Sequence, residues 1–260
     1  MSTLTYAVSD SATMLRRNLR HMLRYPAMTF SVAAMPVLLM LLFVYVFGGS
    51  ISAGIPGGGE YIDYVVPGIL LMTLGSGAVP TAVAICTDMS EGIVARFRTM
   101  AIARASVLTG HVVGSVIQTL ISVVLVIGVA LAIGFRPHAG PAGWVAVAGV
   151  CVLVTVAITW LSVALGLVSK NPEGASNIVL PLSLLLPFLS SAFVPLSSMP
   201  AGVRAFAEYQ PFTPIIETLR GLLMGTPIGS RGWTSVAWSV GIAVVGYLWA
   251  KKLYNREPSR

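Results

Sequence analysis

Six stretches of this chain run apolar, without an Asp, Glu, Lys, Arg or His, for about the length that crosses a bilayer: 30–48, 64–86, 112–135, 144–168, 177–196 and 233–250. A hydrocarbon core of about 30 Å requires about 20 helical residues at 1.5 Å each. Runs of this kind exclude a soluble enzyme. Composition agrees, since 56% of the 260 residues are hydrophobic and only 10% charged, against roughly 45–50% and about 25% in soluble domains. The first run follows a basic stretch as a signal peptide would, but it exceeds a typical h-region and five further runs come after it.

The net charge of +7 is a topology signal. Twelve basic residues fall on one side of the predicted spans: Arg16, Arg17, Arg20, Arg24, Arg96, Arg98, Arg104, Lys170, Lys251, Lys252, Arg256 and Arg260. Four fall on the other: Arg136, Arg204, Arg220 and Arg231. The basic side is cytoplasmic by the positive-inside rule, which puts both termini in the cytoplasm and removes the reason to invoke nucleic acid. Trp144, Trp233 and Trp249 fall at predicted interfaces, whereas Trp160 and Trp238 lie deeper and suit helix packing. Cys86 and Cys151 both sit in apolar sequence, so neither a disulfide framework nor a CxxC metal site is expected.

The apolar runs offer no ionisable group for proton or sodium coupling. They carry no G-x-S-G element and no acidic pair for intramembrane hydrolysis. None of the three lysines follows a glycine, so the chain has no P-loop; Gly57-Gly58-Gly59 reads as a flexible turn. No catalytic residue, metal site or bound cofactor is expected in this chain. Energy for any transport has to come from a second polypeptide.

Three segments outside the spans are patterned. Residues 8–25 read as an amphipathic interfacial helix with Arg16, Arg20 and Arg24 in an i, i+4 stripe, either a basic anchor or a mechanical elbow. In the inner loop, Asp88 and Glu91 have capping-box spacing, and Ile93, Phe97 and Met100 form an apolar ridge flanked by Arg96 and Arg98. That ridge suits a groove on a soluble partner, or equally a lipid surface. The outer region 197–232 reads as two short helices, the first around Val203, Arg204, Phe206, Ala207 and Glu208. The second is framed by Thr213 as cap, Pro214 in the first turn and Gly225 at the end, with Glu217 and Arg220 one turn apart. Such helices are too short to cross and are expected to re-enter from outside, as a gate or a structural lid. Pro67, Pro80, Pro181 and Pro187 mark the second and fifth spans as bendable. Gly110 and Gly114 form a small-xxx-small pair at the start of the third.

Taken in order, these features resemble type-2 ATP-binding-cassette exporter permeases, most of all the daunorubicin-resistance group. The likeness rests on Glu91-Gly92, the run Arg96-Phe97-Arg98-Thr99-Met100-Ala101-Ile102-Ala103-Arg104, Asn171-Pro172-Glu173-Gly174-Ala175, and Phe206 to Leu223 with Gln210-Pro211-Phe212-Thr213-Pro214. Many members carry proline where this chain has Ala101. The resemblance implies one all-α transmembrane domain over residues 1–260 with six transmembrane helices, an N-terminal interfacial helix, a cytoplasmic coupling helix and extracellular re-entrant helices before the last span. It implies a bacterial plasma-membrane complex containing a second permease copy or a related subunit, and two ATPase subunits that hold ATP and Mg. The 88–104 segment would couple to the ATPase through Asp88, Glu91, Ile93, Arg96, Phe97, Arg98, Met100 and Arg104, with Arg16, Arg17, Arg20 and Arg24 on the interfacial helix. Phe206, Pro211, Phe212, Pro214, Glu217, Leu219 and Arg220 would form the extracellular gate. The implied activity is export of amphipathic drugs or lipids. The alternatives are a glycan or glycolipid permease of the same superfamily, an ion-coupled carrier or a membrane scaffold.

Overall fold

The computed structural model describes residues 26–51, 60–90 and 104–255. Every regular element among them is helical. The first helix, α1 (Pro26–Leu42), continues through a π-helical turn, Phe43–Phe47, into Gly48–Ile51. Then come α2 (Tyr61–Ser76), α3 (Ala78–Ser90), α4 (Arg104–Ala132), α5 (Pro141–Val168) and α6 (Pro172–Phe188). After a 3-10 turn at Leu196–Ser198 follow α7 (Ala201–Tyr209), α8 (Phe212–Met224) and α9 (Arg231–Asn255). Among the described residues, four helical stretches are long and apolar enough to cross a membrane: Tyr61–Ser90, Leu108–Ala132, Pro141–Val168 and Arg231–Tyr254. Val32–Phe47 is a shorter apolar helix.

The rods alternate in direction. Asp88 meets His111 and Thr81 meets Ser115, so α4 runs against α2–α3. Gly75 lies against Ser183 and Gly68 against Ala192, so α6 and the chain after it also run against α2–α3. Ala82 lies against Gly166, and Leu71 shares a small cavity with Ile158, so α5 runs with α2–α3. Gly246 touches Trp160 and Leu161, and Ala250 packs with Val163 and Ala164, so α9 runs with α5.

The central rod is α2, buried from Tyr61 to Gly75 on nearly every side. Its core neighbours are Met40, Val126, Phe135, Val154, Ile215, Ile216, Leu219 and Leu223. Apolar side chains also cover the outside of the bundle, where Leu38, Tyr45, Leu185, Val244 and Leu248 are exposed. Water would penalise that surface at about 25 cal/mol per Å², and acyl chains do not.

Glycine allows close approach at four crossings, three of them backbone to backbone and the Gly77 one backbone to side chain. An ideal Cβ on Gly166 would lie 2.5 Å from the Ala82 carbonyl oxygen, on Gly68 2.6 Å from Ala192 Cβ, on Gly246 2.8 Å from Leu161 N, and on Gly77 2.5 Å from Thr119 Oγ1. Close approach of this kind drives helix association where apolar surface cannot. Trp160 stacks edge-on against Tyr247 at 4.9 Å, a packing role. Trp233 stands 81% exposed at the head of α9, as an interfacial indole would.

Several helix ends differ from the sequence expectation: the third span's helix, α4, starts at Arg104, not 112, and the fifth span's helix, α6, covers Pro172–Phe188, not 177–196. Asn171 caps it, accepting from Gly174 N at 2.7 Å with Pro172 in the first turn. The helix stops just after Pro187, and Ser190–Phe193 continue as buried turns. Asp88 does not open a helix: it lies in the last turn of α3.

Candidate functional site

Pro80 has no N–H to give the Ser76 carbonyl, and its ring crowds that carbonyl. The helix accordingly breaks at Gly77, between α2 and α3. Pro67 lies inside α2 without interrupting it. Beside the break is a cleft of about 470 Å³ between α1, α2–α3, α4 and α6. Val32, Met35, Pro36, Met72, Val79, Pro80, Leu180 and Leu184 supply its apolar wall. Ser76, Gln118 and Ser183 supply its polar groups, and no lining residue is ionisable or aromatic. Thr73, Thr81 and Ser183 return their hydroxyls to the carbonyls of Ile69, Gly77 and Val179, as hydroxyls do in lipid.

At the end of the bundle where α2 begins, the broken backbone after α6 is held by side chains from α2, α8 and the α7–α8 link. Tyr61 donates to the Phe193 carbonyl at 3.1 Å, and Tyr64 to the Ser191 carbonyl at 3.0 Å. Arg220 Nη2 donates to the Ser191 carbonyl at 2.8 Å and the Tyr64 carbonyl at 3.1 Å, with the guanidinium 3.9 Å above the Tyr64 ring. Gln210 donates to the Leu189 carbonyl, and Thr213 Oγ1 accepts from Ser191 N. Burial pulls the Arg220 guanidinium below its ordinary pKa, opposed by Tyr64 and Glu217; guanidinium stays charged regardless. Phe43, in the π-helical turn, stacks on Phe193 at 4.3 Å, and Phe193 stacks on Phe188 at 4.7 Å. This network satisfies non-helical backbone that lipid could not.

The predicted gate residues therefore separate. Leu219 and Pro214 are buried core, and Pro211 and Phe212 line a smaller cavity of about 110 Å³ with Leu71, Ile158 and Ile242. Phe206 is half exposed on α7. Glu217 and Arg220, one turn apart, do not pair: Glu217 binds Arg231 at 2.9 Å, while Arg220 turns inward. Thr213 is not the helix cap. The helix starts at Phe212 behind Pro211, and Gly225 ends it in the left-handed region at φ 68° as expected.

At the opposite end Asp88 lies 2.9 Å from His111, joining α3 to α4. Arg104 opens α4. Glu91, Ile93, Arg96, Phe97, Arg98 and Met100, and the interfacial Arg16, Arg17, Arg20 and Arg24, lie outside the described residues. The sequence pointed to no role for Gln118, Tyr61, Tyr64 or His111, and Gln210 counted only toward the family likeness. Gln118 had a signal: apart from Asn177 at the edge of the fifth run, it is the only Asn or Gln within the six apolar runs.

The ABC-2 type transporter family model matches residues 11–224. The chain is 28% identical over 220 residues to a daunorubicin resistance ABC transporter permease protein of Streptomyces coeruleorubidus, covering 85% of this chain and 77% of that one. It is 27% identical over 211 residues to a probable doxorubicin resistance ABC transporter permease protein of Mycobacterium tuberculosis, covering 81% and 75%. It is 24% identical over 220 residues to a putative transport permease of Porphyra purpurea, covering 84% and 75%.

Proposed function

Because the chain belongs to the ABC-2 type transporter family, and so is an integral-membrane permease, we propose that it is the membrane half of an exporter that moves amphipathic drugs or lipids out of a bacterial cell. Two ATPase subunits holding ATP and Mg drive it, and a second permease copy or a related subunit completes it. The chain crosses the membrane six times with both termini in the cytoplasm. Residues 88–104 dock on the ATPase, assisted by the helix at 8–25. Residues 197–232 form the outer gate, re-entering from outside.

The observation that carries this reading is the uncharged cleft beside the Gly77 break, together with the Tyr64–Arg220–Ser191 network that ties α8 and the chain after α6 to α2. An apolar cleft bordered by proline-bent rods accepts amphiphiles. A docked ATPase can shift such a body only through contacts that differ between its two states. The outer network then has to open and reclose in each cycle. A glycan path calls for aromatic rings, and the cleft lining has none.

The test is Phe97→Asp. The variant is expected to insert in the membrane normally but to lose both co-purification of the ATPase and ATP-dependent transport. Undiminished co-purification would overturn the docking assignment.

A further inference from the structure

Gln118 lies at the midpoint of α4, a 29-residue helix, and faces the cleft. Its backbone carbonyl accepts from Ser122, but its side-chain amide has no hydrogen-bond partner among the described residues. Gln118 is only partly buried and its amide opens onto the cleft, so its donors and its acceptor are available to whatever occupies that space.

We infer that the cleft binds the head of an uncharged amphiphile, a hydroxyl or ester carbonyl, with Gln118 as the residue that selects it. The chemistry of the polar lining defines this class. Ser76 and Ser183 already donate, to the carbonyls of Thr73 and Val179, so their oxygens are left to accept. The Gln118 amide offers both donors and an acceptor. A ligand hydroxyl can donate to either serine and accept from Gln118, and an ester carbonyl can accept from Gln118. A quaternary ammonium finds neither carboxylate nor aromatic face among the lining residues. An anion finds one amide and no cation. A volume of about 470 Å³ leaves room for the head and the first part of an apolar chain. Met35 and Leu180, both lining the cleft, are exposed on the outside of the bundle, which gives the rest of that chain a side exit into lipid.

This inference rests on the exporter reading, but binding tests it separately. The full chain in lipid nanodiscs is titrated with dansyl-tagged dodecanol and dansyl-tagged dodecyltrimethylammonium, with empty nanodiscs subtracted. The alcohol is expected to bind saturably and about tenfold tighter than the cation, the ratio of one hydrogen bond. Gln118→Leu should erase that preference, and Gln118→Glu should turn it toward the cation. Met72→Trp, which fills the cleft, should remove binding of both. Equal affinities, no saturable binding, or a preference that survives Gln118→Leu would overturn the inference. So would Gln118→Leu turning a dimer into a monomer at unchanged alcohol affinity, since the amide would then bridge two copies. Selective binding without ATP-driven movement would count against the exporter reading alone.

Discussion

Arg220 on α8 donates to the carbonyl of Ser191 at 2.8 Å, and Tyr64 on α2 donates to the same oxygen at 3.0 Å. One backbone acceptor just beyond α6 thus ties together α2, α8 and the chain after α6. Arg220→Met deletes the charged donor and strips both the Ser191 and Tyr64 carbonyls of a partner. Charged hydrogen bonds of this kind contribute about 3 kcal/mol. The expected result is a fall of several degrees in the thermal midpoint of the detergent-solubilised protein, followed by size-exclusion fluorescence. Arg220→Lys, a single-point donor without the planar fork, should recover only part of it. An unchanged midpoint in Arg220→Met would show that the network contributes no stability.

Two glycines in α5 give a matched pair. Gly166→Ala drives a methyl to 2.5 Å from the Ala82 carbonyl, whereas Gly149→Ala meets nothing within 4 Å. The first should destabilise by about 1–3 kcal/mol and the second by less than about 0.5 kcal/mol. Equal melting curves for the two would contradict the backbone contact between α3 and α5.

The Asp88–His111 pair is about a quarter exposed, at 27% and 22% of the side chains. Such pairs contribute at most about 1 kcal/mol, so His111→Leu should hardly move the melting point. The pair does tie together the two ends of the 91–103 segment. Trypsin cleavage after Arg96 and Arg98 in inside-out vesicles should therefore speed up several-fold. An unaltered cleavage rate would remove that tether.

Both cysteines of the chain are buried and free, which leaves a quiet background for labelling. Tyr209→Cys, at a position 80% exposed on α7, should react with a membrane-impermeant maleimide in intact cells. Lys251→Cys, near the end of α9, should react only after permeabilisation. The reverse pattern would invert the orientation drawn from the arginines.

Apolar runs locate helices well because burial in lipid or in a core needs the same side chains. The same property misplaces the end of α6: the sequence carries no charge as far as Leu196, and Ser190–Phe193 stay buried, after Pro187 has ended the helix. Hydropathy reports where a side chain goes, not whether its backbone is helical. Asp88 and Glu91 have the spacing of a cap, yet a partner 23 positions away, His111, takes the carboxylate. The one-turn spacing of Glu217 and Arg220 points to a pair, but Arg220 finds better acceptors in carbonyls 29 and 156 residues away. Gln118 was legible in the letters. A search confined to ionisable groups passes over it, although an amide also offers donors and an acceptor.

Where Gly166 meets Ala82 and Gly246 meets Leu161, three rods are welded main chain to main chain. A weld with no side chain between its faces has no rotamer through which to slip, so α3, α5 and α9 travel as a single stator. Any widening of the cleft then falls to the rods on its other walls, α1, α4 and α6.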